Sequence, residues 1–447
     1  MPRTIFCLFF LLSSLSMAAQ EPIRIALAGD AIITRKLSVY KEPEFLGMID
    51  VIRSADAAFV NLEVLLHDYE HFPMHQSGGT YMRADPEMAA ELKWAGFDMV
   101  SLANNHTGDY GPGGMRTTIR HVEAAGFLYA GAGESLTAAR EAHFMETANG
   151  RIALISCAST FPDHSRAGKT RGAIPPRPGL NPIRFRTTYI LPPDHFTRMQ
   201  MAGVSLGLLD TVRETGSFRL FRQNFELGDS ADIRTEPNQE DLEAIAGVVR
   251  NAARLADVVI VSVHAHERDG DLSIPAEFLV TFSRAMVDAG ADIIAGHGPH
   301  VLRGIEIYQG KPILYSLGDF MFQNETLHRL PSENYERYEL GPDQGLADFN
   351  AARYRNDTRG FPTRPEVWEG VIAMPEFDGE TLTSLELHPI SLQHGEPPAV
   401  RGRPMLADEE LGKKIIEDLR RLSAPFGTSV VYQDGMGVVQ IGASVRR

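Results

Sequence analysis

Cysteine is almost missing from this chain: two residues in 447, Cys7 and Cys157. Cys7 falls inside the first apolar stretch, so Cys157 stands alone in the remainder and no internal disulfide can form there. Its setting, "RIALISCAST", is strand-like and marks a buried structural thiol. A surplus of positive charge is missing too. Lys and Arg number 43 against 58 Asp and Glu, a formal charge of -15. Phosphate backbones need a basic face, so nucleic acid is excluded as a partner class. Phosphorylated small substrates are not excluded, because a bound metal can supply local positive charge. Long apolar runs are missing after the N-terminus, so no later segment predicts a membrane helix. There is no internal repeat and no low-complexity tract. What remains, 43% hydrophobic and 23% charged, is an ordinary globular composition.

The first residues, "MPRTIFCLFFLLSSLSMAAQEP", run from a positive charge through a short apolar core to small residues at a cleavage point. That order predicts a secretory leader over 1–19, export to the periplasm or exterior, and no transmembrane anchor after cleavage. Short apolar runs then read as buried strands: "IRIALAG", "ADAAFVNLE", "FDMVSLANN", "RIALISCAS", "ADVVIVSVHAH", "ADIIAGH" and "KPILYSLGD". Helical patterns fall between them, with Gly96, Gly126 and Gly290 placed as helix C-terminal glycines. Strands alternating with helices predict an α/β fold. A core of 20–325 is interrupted at about 161–234 by a Pro/Arg-rich stretch without clean periodicity, read as an irregular insertion over the core. A small α+β extension, 326–447, is expected to hold a hairpin turning at Asp378-Gly379 and an amphipathic helix in "EELGKKIIEDLRRLSAPFG".

Each apolar run ends in a polar residue. Asp30 closes the first, Glu63 the second, and Asn104, Asn105, His106 and Asp109 the third. His264, Ala265, His266 and Glu267 close the fifth, His297 and His300 the sixth, and Asp319 the seventh. In open α/β folds the strand C-termini share one edge, and sites form in the crevice there. One polar strand end is a chain leaving a sheet for solvent. Six delivering hard oxygen and borderline nitrogen donors, with no thiolate, point to a divalent ion such as Mn, Zn or Fe.

The segments "GDAIIT", "VNLE", "SLANNHTGDYGPGG", "AGAGES", "VHAHE" and "GADIIAGHGPHVLRGIEIYQGKPILYSLGDF" occur in this order between about Ile23 and Phe322. They resemble the CapA family, named for poly-γ-glutamate capsule synthesis and part of the calcineurin-like metallophosphoesterase superfamily. The resemblance implies a four-layer α/β/β/α sandwich with the site at the shared edge of two facing sheets. It implies Asp30, Glu63, Asn105, His264, His297 and His300 as metal ligands. It also implies His106 as general acid; the residues themselves offer Asp109, three positions on, as the carboxylate to hold that ring. Four positions depart from the pattern. Ile32 stands where a first-motif histidine is usual, and Gly298 widens the last histidine spacing to three. His264-Ala265-His266-Glu267 replaces His-Trp-Gly, and Gly-Asp-Phe replaces Gly-Asn-Phe. One ion, or two with altered ligation, fits these residues. His266 and Asp319 are then either replacement ligands or partners behind the ligands.

The function implied is a metal-dependent hydrolase of phosphoester type, acting on an envelope polymer or a phosphorylated small substrate alongside capsule-synthesis proteins. Arg303 and Arg83 are expected as phosphate or carboxylate clamps, with plain surface arginines as the alternative. The competing reading is a non-catalytic component of a capsule polymer synthesis or export machinery. Hydrolysis of an amide in the polymer or cell wall is a third.

Overall fold

The computed structural model of the chain describes residues 21–212 and 215–441. The leader-like segment 1–19 lies outside the described residues. Two large sheets face each other. The strand Ile23–Ile32 is central to the first. It is flanked in parallel by Ala57–Leu62 and, at its C-terminal end, by Asp319–Phe322. Met99–Ser101 and Leu128–Ala130 extend this sheet in parallel. The hairpin Glu369–Asp378 and Thr381–Ser391 extends it antiparallel on the other side. In the second sheet Gly150–Ala158, Val258–His264, Ile293–His297 and Lys311–Leu314 run parallel, side by side. Parallel strands are covered on both faces, which is why they read as unbroken apolar runs.

Alternation along the first strand sorts its side chains between two layers. Ile25 and Leu27 meet Phe59, Met99, Ile152, Leu154, Ile260 and Ile293 in the apolar layer between the sheets. Ala26 and Ala28 face a second layer, filled by Phe45, Met48 and Ile52 of the helix Pro43–Arg53 and Leu92 of Met88–Ala95. The outer face of the second sheet is covered by Ile245 and Val249 of Gln239–Ala252 and by Phe278, Phe282 and Met286 of Glu277–Asp288. The result is the α/β/β/α sandwich that the strand–helix alternation and the family resemblance imply. Asn238 and Asp408 cap two of the helices by accepting from the backbone N–H of Asp241 and Leu411.

Three features differ from the sequence reading. "KPILYSLGD" is not one strand. It pairs in the second sheet as Lys311–Leu314, breaks at 315–318, and resumes as Asp319–Phe322 in the first. The crossing draws the two sheet edges together and depends on two glycines. Gly318 has φ +70°, and a Cβ on Gly29 would lie 1.8 Å from the Gly318 oxygen. The stretch 161–234 is not wholly irregular. Phe185–Leu191, Ser217–Leu220, Gln223–Leu227 and Asp232–Pro237 form a four-stranded sheet beside the helix Pro193–Ser205. Its small core is aromatic, with Phe218 stacked 5.0 Å from Phe225, and its short half-exposed strands give little periodicity to read. Finally, the 326–447 extension contributes five of the ten strands of the first sheet, so its hairpin continues the core.

Candidate metal centre

The expected strand-end residues arrive together at the C-terminal edges of the two sheets. Asp30 is in register with Asn61 on one side and Asp319 on the other. Its Oδ1 accepts from Asn61 Nδ2 at 2.7 Å, and its Oδ2 accepts from the Gly298 backbone N–H at 2.8 Å. His264 and His297 stand opposite one another in adjacent parallel strands. Their Nδ1 atoms lie 3.0 Å apart, and both face Asp30 Oδ1, at 3.5 and 3.2 Å. The far nitrogen of His297 meets Ser262 Oγ at 2.8 Å, and that of His264 lies 2.9 Å from His266 Nε2. His300 adopts a left-handed backbone, φ +58°, which turns its ring inward so that Nδ1 meets Asp319 Oδ1 at 2.9 Å.

Glu63 lies at the centre of this group, fully buried, 4.0 Å from His264 and 3.8 Å from His106 Nε2. The turn after Met99–Ser101 supplies Asn105 and His106. His106 Nδ1 is 2.7 Å from Asp109 Oδ2. Asp109 is itself fixed by the backbone N–H groups of Met82 and Gly78. With Nδ1 turned to a carboxylate, the Nε2 of His106 is the nitrogen presented to the site.

Electrostatics separates these groups. Burial works against the Asp30 carboxylate, but hydrogen bonds and charge from His264 and His297 outweigh it and hold it well below the usual carboxylate range. Burial, then the negative charges of Asp30 and Asp319, pushes Glu63 well above that range. Burial raises Asp319 to about 6 despite His300. It depresses His264 to about 4 and lowers His266 as well. Neutral imidazoles are the form that binds metals.

The donor set fits a divalent cation. Glu63 Oε1 and Oε2, Asn105 Oδ1 and Asp319 Oδ2 are buried with no hydrogen-bond partner. Orphaned buried carboxylate oxygens are costly unless a cation or proton answers them. Three donor groups converge, each with its ligand atoms within 4.8 Å of one another: Asp30/His264/His297, Glu63/His264/His266, and Asp30/Glu63/His300/Asp319. The buried cluster is thus compatible with metal binding and contains no thiolate. Cys157 is buried in its strand, and burial raises its thiol.

Arg83 and Arg303 are not brought in as clamps. Arg303 is fully buried and donates to the backbone oxygens of Leu272, Ala265, His266 and Glu267. Arg83 is spent on His67 O, Asp68 and Asp85, over the ring of Tyr69. Ile32 is taken up by the apolar layer under the helices and adds no donor. Asn61, Ser262 and the Gly298 N–H, which orient Asp30 and His297, were not singled out from sequence. Asn61 alone carried a signal, a polar residue at a strand end.

Positions 24–324 match the family model described as bacterial capsule synthesis protein PGA_cap. An uncharacterized protein of Sinorhizobium fredii is 36% identical over 429 residues, 92% of either chain. The PGA biosynthesis protein CapA of Bacillus subtilis is 27% identical over 314 residues, covering 68% of this chain and 64% of that one. Among solved structures, the NAD nucleotidase of Haemophilus influenzae is similar at 9% identity with a TM-score of 0.32, over 90% of this chain and 56% of that one.

Proposed function

The chain belongs to the PGA_cap family of bacterial capsule synthesis proteins, and from that premise we propose that it is an exported, metal-dependent hydrolase of phosphoester type serving the synthesis of a capsule or poly-γ-glutamate-like envelope polymer. The observation that carries the reading is the juxtaposition of orphaned buried oxygens on Glu63, Asn105 and Asp319 with a carboxylate-backed histidine, His106, 3.8 Å from Glu63. The imidazole and carboxylate donors suit Mn, Zn or Fe.

A divalent ion held by Asp30, Glu63, Asn105, His264, His297 and His300 would supply an activated water and neutralise charge on the phosphoryl group. His266 and Asp319 complete or back that set. The chain's own residues do the rest. His106, protonated on both nitrogens, gives the Nε2 proton to the leaving oxygen. Asp109 fixes the ring and stabilises the imidazolium before transfer. Gly78 and Met82 hold Asp109 through their N–H groups, so the acid is oriented before substrate arrives.

Metal analysis of purified protein, paired with hydrolysis of a generic phosphodiester, tests this. The expected result is stoichiometric metal and metal-dependent turnover. Stoichiometric metal with no phosphoester, anhydride or amide cleaved would replace the enzyme by a non-catalytic capsule-assembly component. No helix among the described residues is long and apolar enough to cross a membrane.

A further inference from the structure

With Arg83 and Arg303 spent elsewhere, the cation for substrate must come from another segment. The helix Leu346–Tyr354, in the C-terminal extension, carries Arg353 to the edge of the centre. One nitrogen of Arg353 donates to Thr80 Oγ1. Thr80 follows Gly79, whose missing Cβ would stand 3.8 Å from His106 Cε1. On its other side the guanidinium lies 5.9 Å from the ring of Phe361, and that ring packs 5.6 Å from His300. Arg353 thus bridges the loop beside the acid and the aromatic wall beside a metal-ligand candidate.

Arg353 is half-buried beside the centre and has no acidic partner among the described residues. Arg401, close by in the extension, is bound by Glu325 and Asp357. Arg353 forms no ion pair among the described residues, and Thr80 is its one hydrogen-bond acceptor there. A guanidinium carries five donors in a planar fork. The rings of Phe349, Tyr354 and Phe361 hold the group without satisfying those donors. A half-buried cation with unspent donors beside a carboxylate-rich centre is built to receive an oxyanion.

We propose that Arg353 is the specificity-determining residue of the site, binding an oxyanion of the substrate, phosphate or carboxylate, in the bidentate manner of a guanidinium. The assignment rests on the hydrolase reading for its substrate, but its test does not require turnover. Calorimetric titration of the metal-loaded full chain with inorganic phosphate and, separately, with L-glutamate decides which oxyanion is taken. R353A should keep its metal content and melting temperature, yet bind one of the two about 10- to 100-fold more weakly, the range for a charge-assisted contact. R353K, which preserves charge without the fork, should recover only part of that loss and covers the case in which R353A does not fold. T80V removes the tether but leaves the guanidinium, and should stay within about threefold of wild type.

Weakening by R353A on either arm supports the assignment and names the oxyanion. Unchanged affinity on both arms overturns it, as does a wild type that holds metal but binds neither. A loss in T80V equal to that in R353A also overturns it, because Arg353 would then act only by holding the loop. A wild type that binds phosphate through Arg353 yet cleaves no phosphoester contradicts the hydrolase reading alone.

Discussion

His264 and His297 face each other across two adjacent parallel strands with their Nδ1 atoms 3.0 Å apart, both turned to one oxygen of Asp30. Two imidazole nitrogens at that distance cannot both keep a proton against each other. Burial drives His264 to about 4, so that ring is neutral at pH 7. The register that pairs the strands residue for residue therefore also sets the geometry of these two donors.

His264 belongs to two of the three donor groups, one with Asp30 and His297 and one with Glu63 and His266. His264→Ala should lower metal content more than His266→Ala, which belongs to one. Elemental analysis of both purified variants checks this, and equal metal in His264→Ala and wild type would exclude His264 as a ligand.

Arg303 holds the segment that carries His266. Its removal leaves four backbone oxygens, those of Leu272, Ala265, His266 and Glu267, without their donor. Arg303→Ala should cost about 3 kcal/mol, the scale for stranding buried acceptors of a charged donor. Arg303→Lys should restore little, since an ammonium cannot reach four carbonyls in a fork's geometry. Chemical denaturation measures the loss. A variant as stable as wild type would return Arg303 to the candidates for substrate binding.

Gly29 and Gly318 meet at the point where the chain changes sheets. A methyl group on Gly29 would be 1.8 Å from a backbone oxygen that no rotamer change can move. Gly29→Ala should lose about 3 kcal/mol or more and misplace the neighbouring Asp30. Recovery of soluble, metal-loaded Gly29→Ala protein with an unchanged melting curve would contradict the close approach.

His67 is fully buried among Tyr69, His71 and Tyr110, and accepts from the Tyr69 N–H. Burial holds it at about 4, with Glu70 opposing and Arg83 assisting. A histidine whose folded value lies below its unfolded value of about 6.5 binds fewer protons when folded. Its contribution is complete above about pH 6.5 and is lost as pH falls toward 4, by at most about 3 kcal/mol. Denaturation midpoints of wild type and His67→Asn at pH 7 and 5 test the sign. The wild type should fall further, because Asn keeps the acceptor without titrating.

The sheets were legible because parallel, doubly covered strands leave continuous apolar runs such as "ADVVIVSVHAH", and the site because Asp30, Glu63, His264, His297 and His300 all close such runs. The change of sheet at 315–318 was not. Leu314 and Phe320 are equally apolar, and nothing local marks the pairing partner as new. The small sheet of the insertion was hidden by half-exposed strands rich in Arg and Thr. Arg83 and Arg303 were misread for a different reason. Sequence gives a guanidinium's position but not its acceptors, and the carbonyls that Arg303 satisfies come from a loop more than thirty residues earlier in the chain. Arg353 lay in a polar segment with no periodicity, so only the folded extension brings it to the centre.

The most direct test of the central claim compares His106→Ala with His300→Ala in metal content and in turnover of phosphoesters with good and poor leaving groups. His300 is assigned to the metal, so its loss should lower metal content and activity together. His106 is assigned to proton donation, so His106→Ala should keep the metal and lose activity by about 10²- to 10⁴-fold, with a smaller loss for leaving groups that need no proton. Loss of metal from His106→Ala equal to that from His300→Ala, or an activity loss independent of the leaving group, would contradict the account.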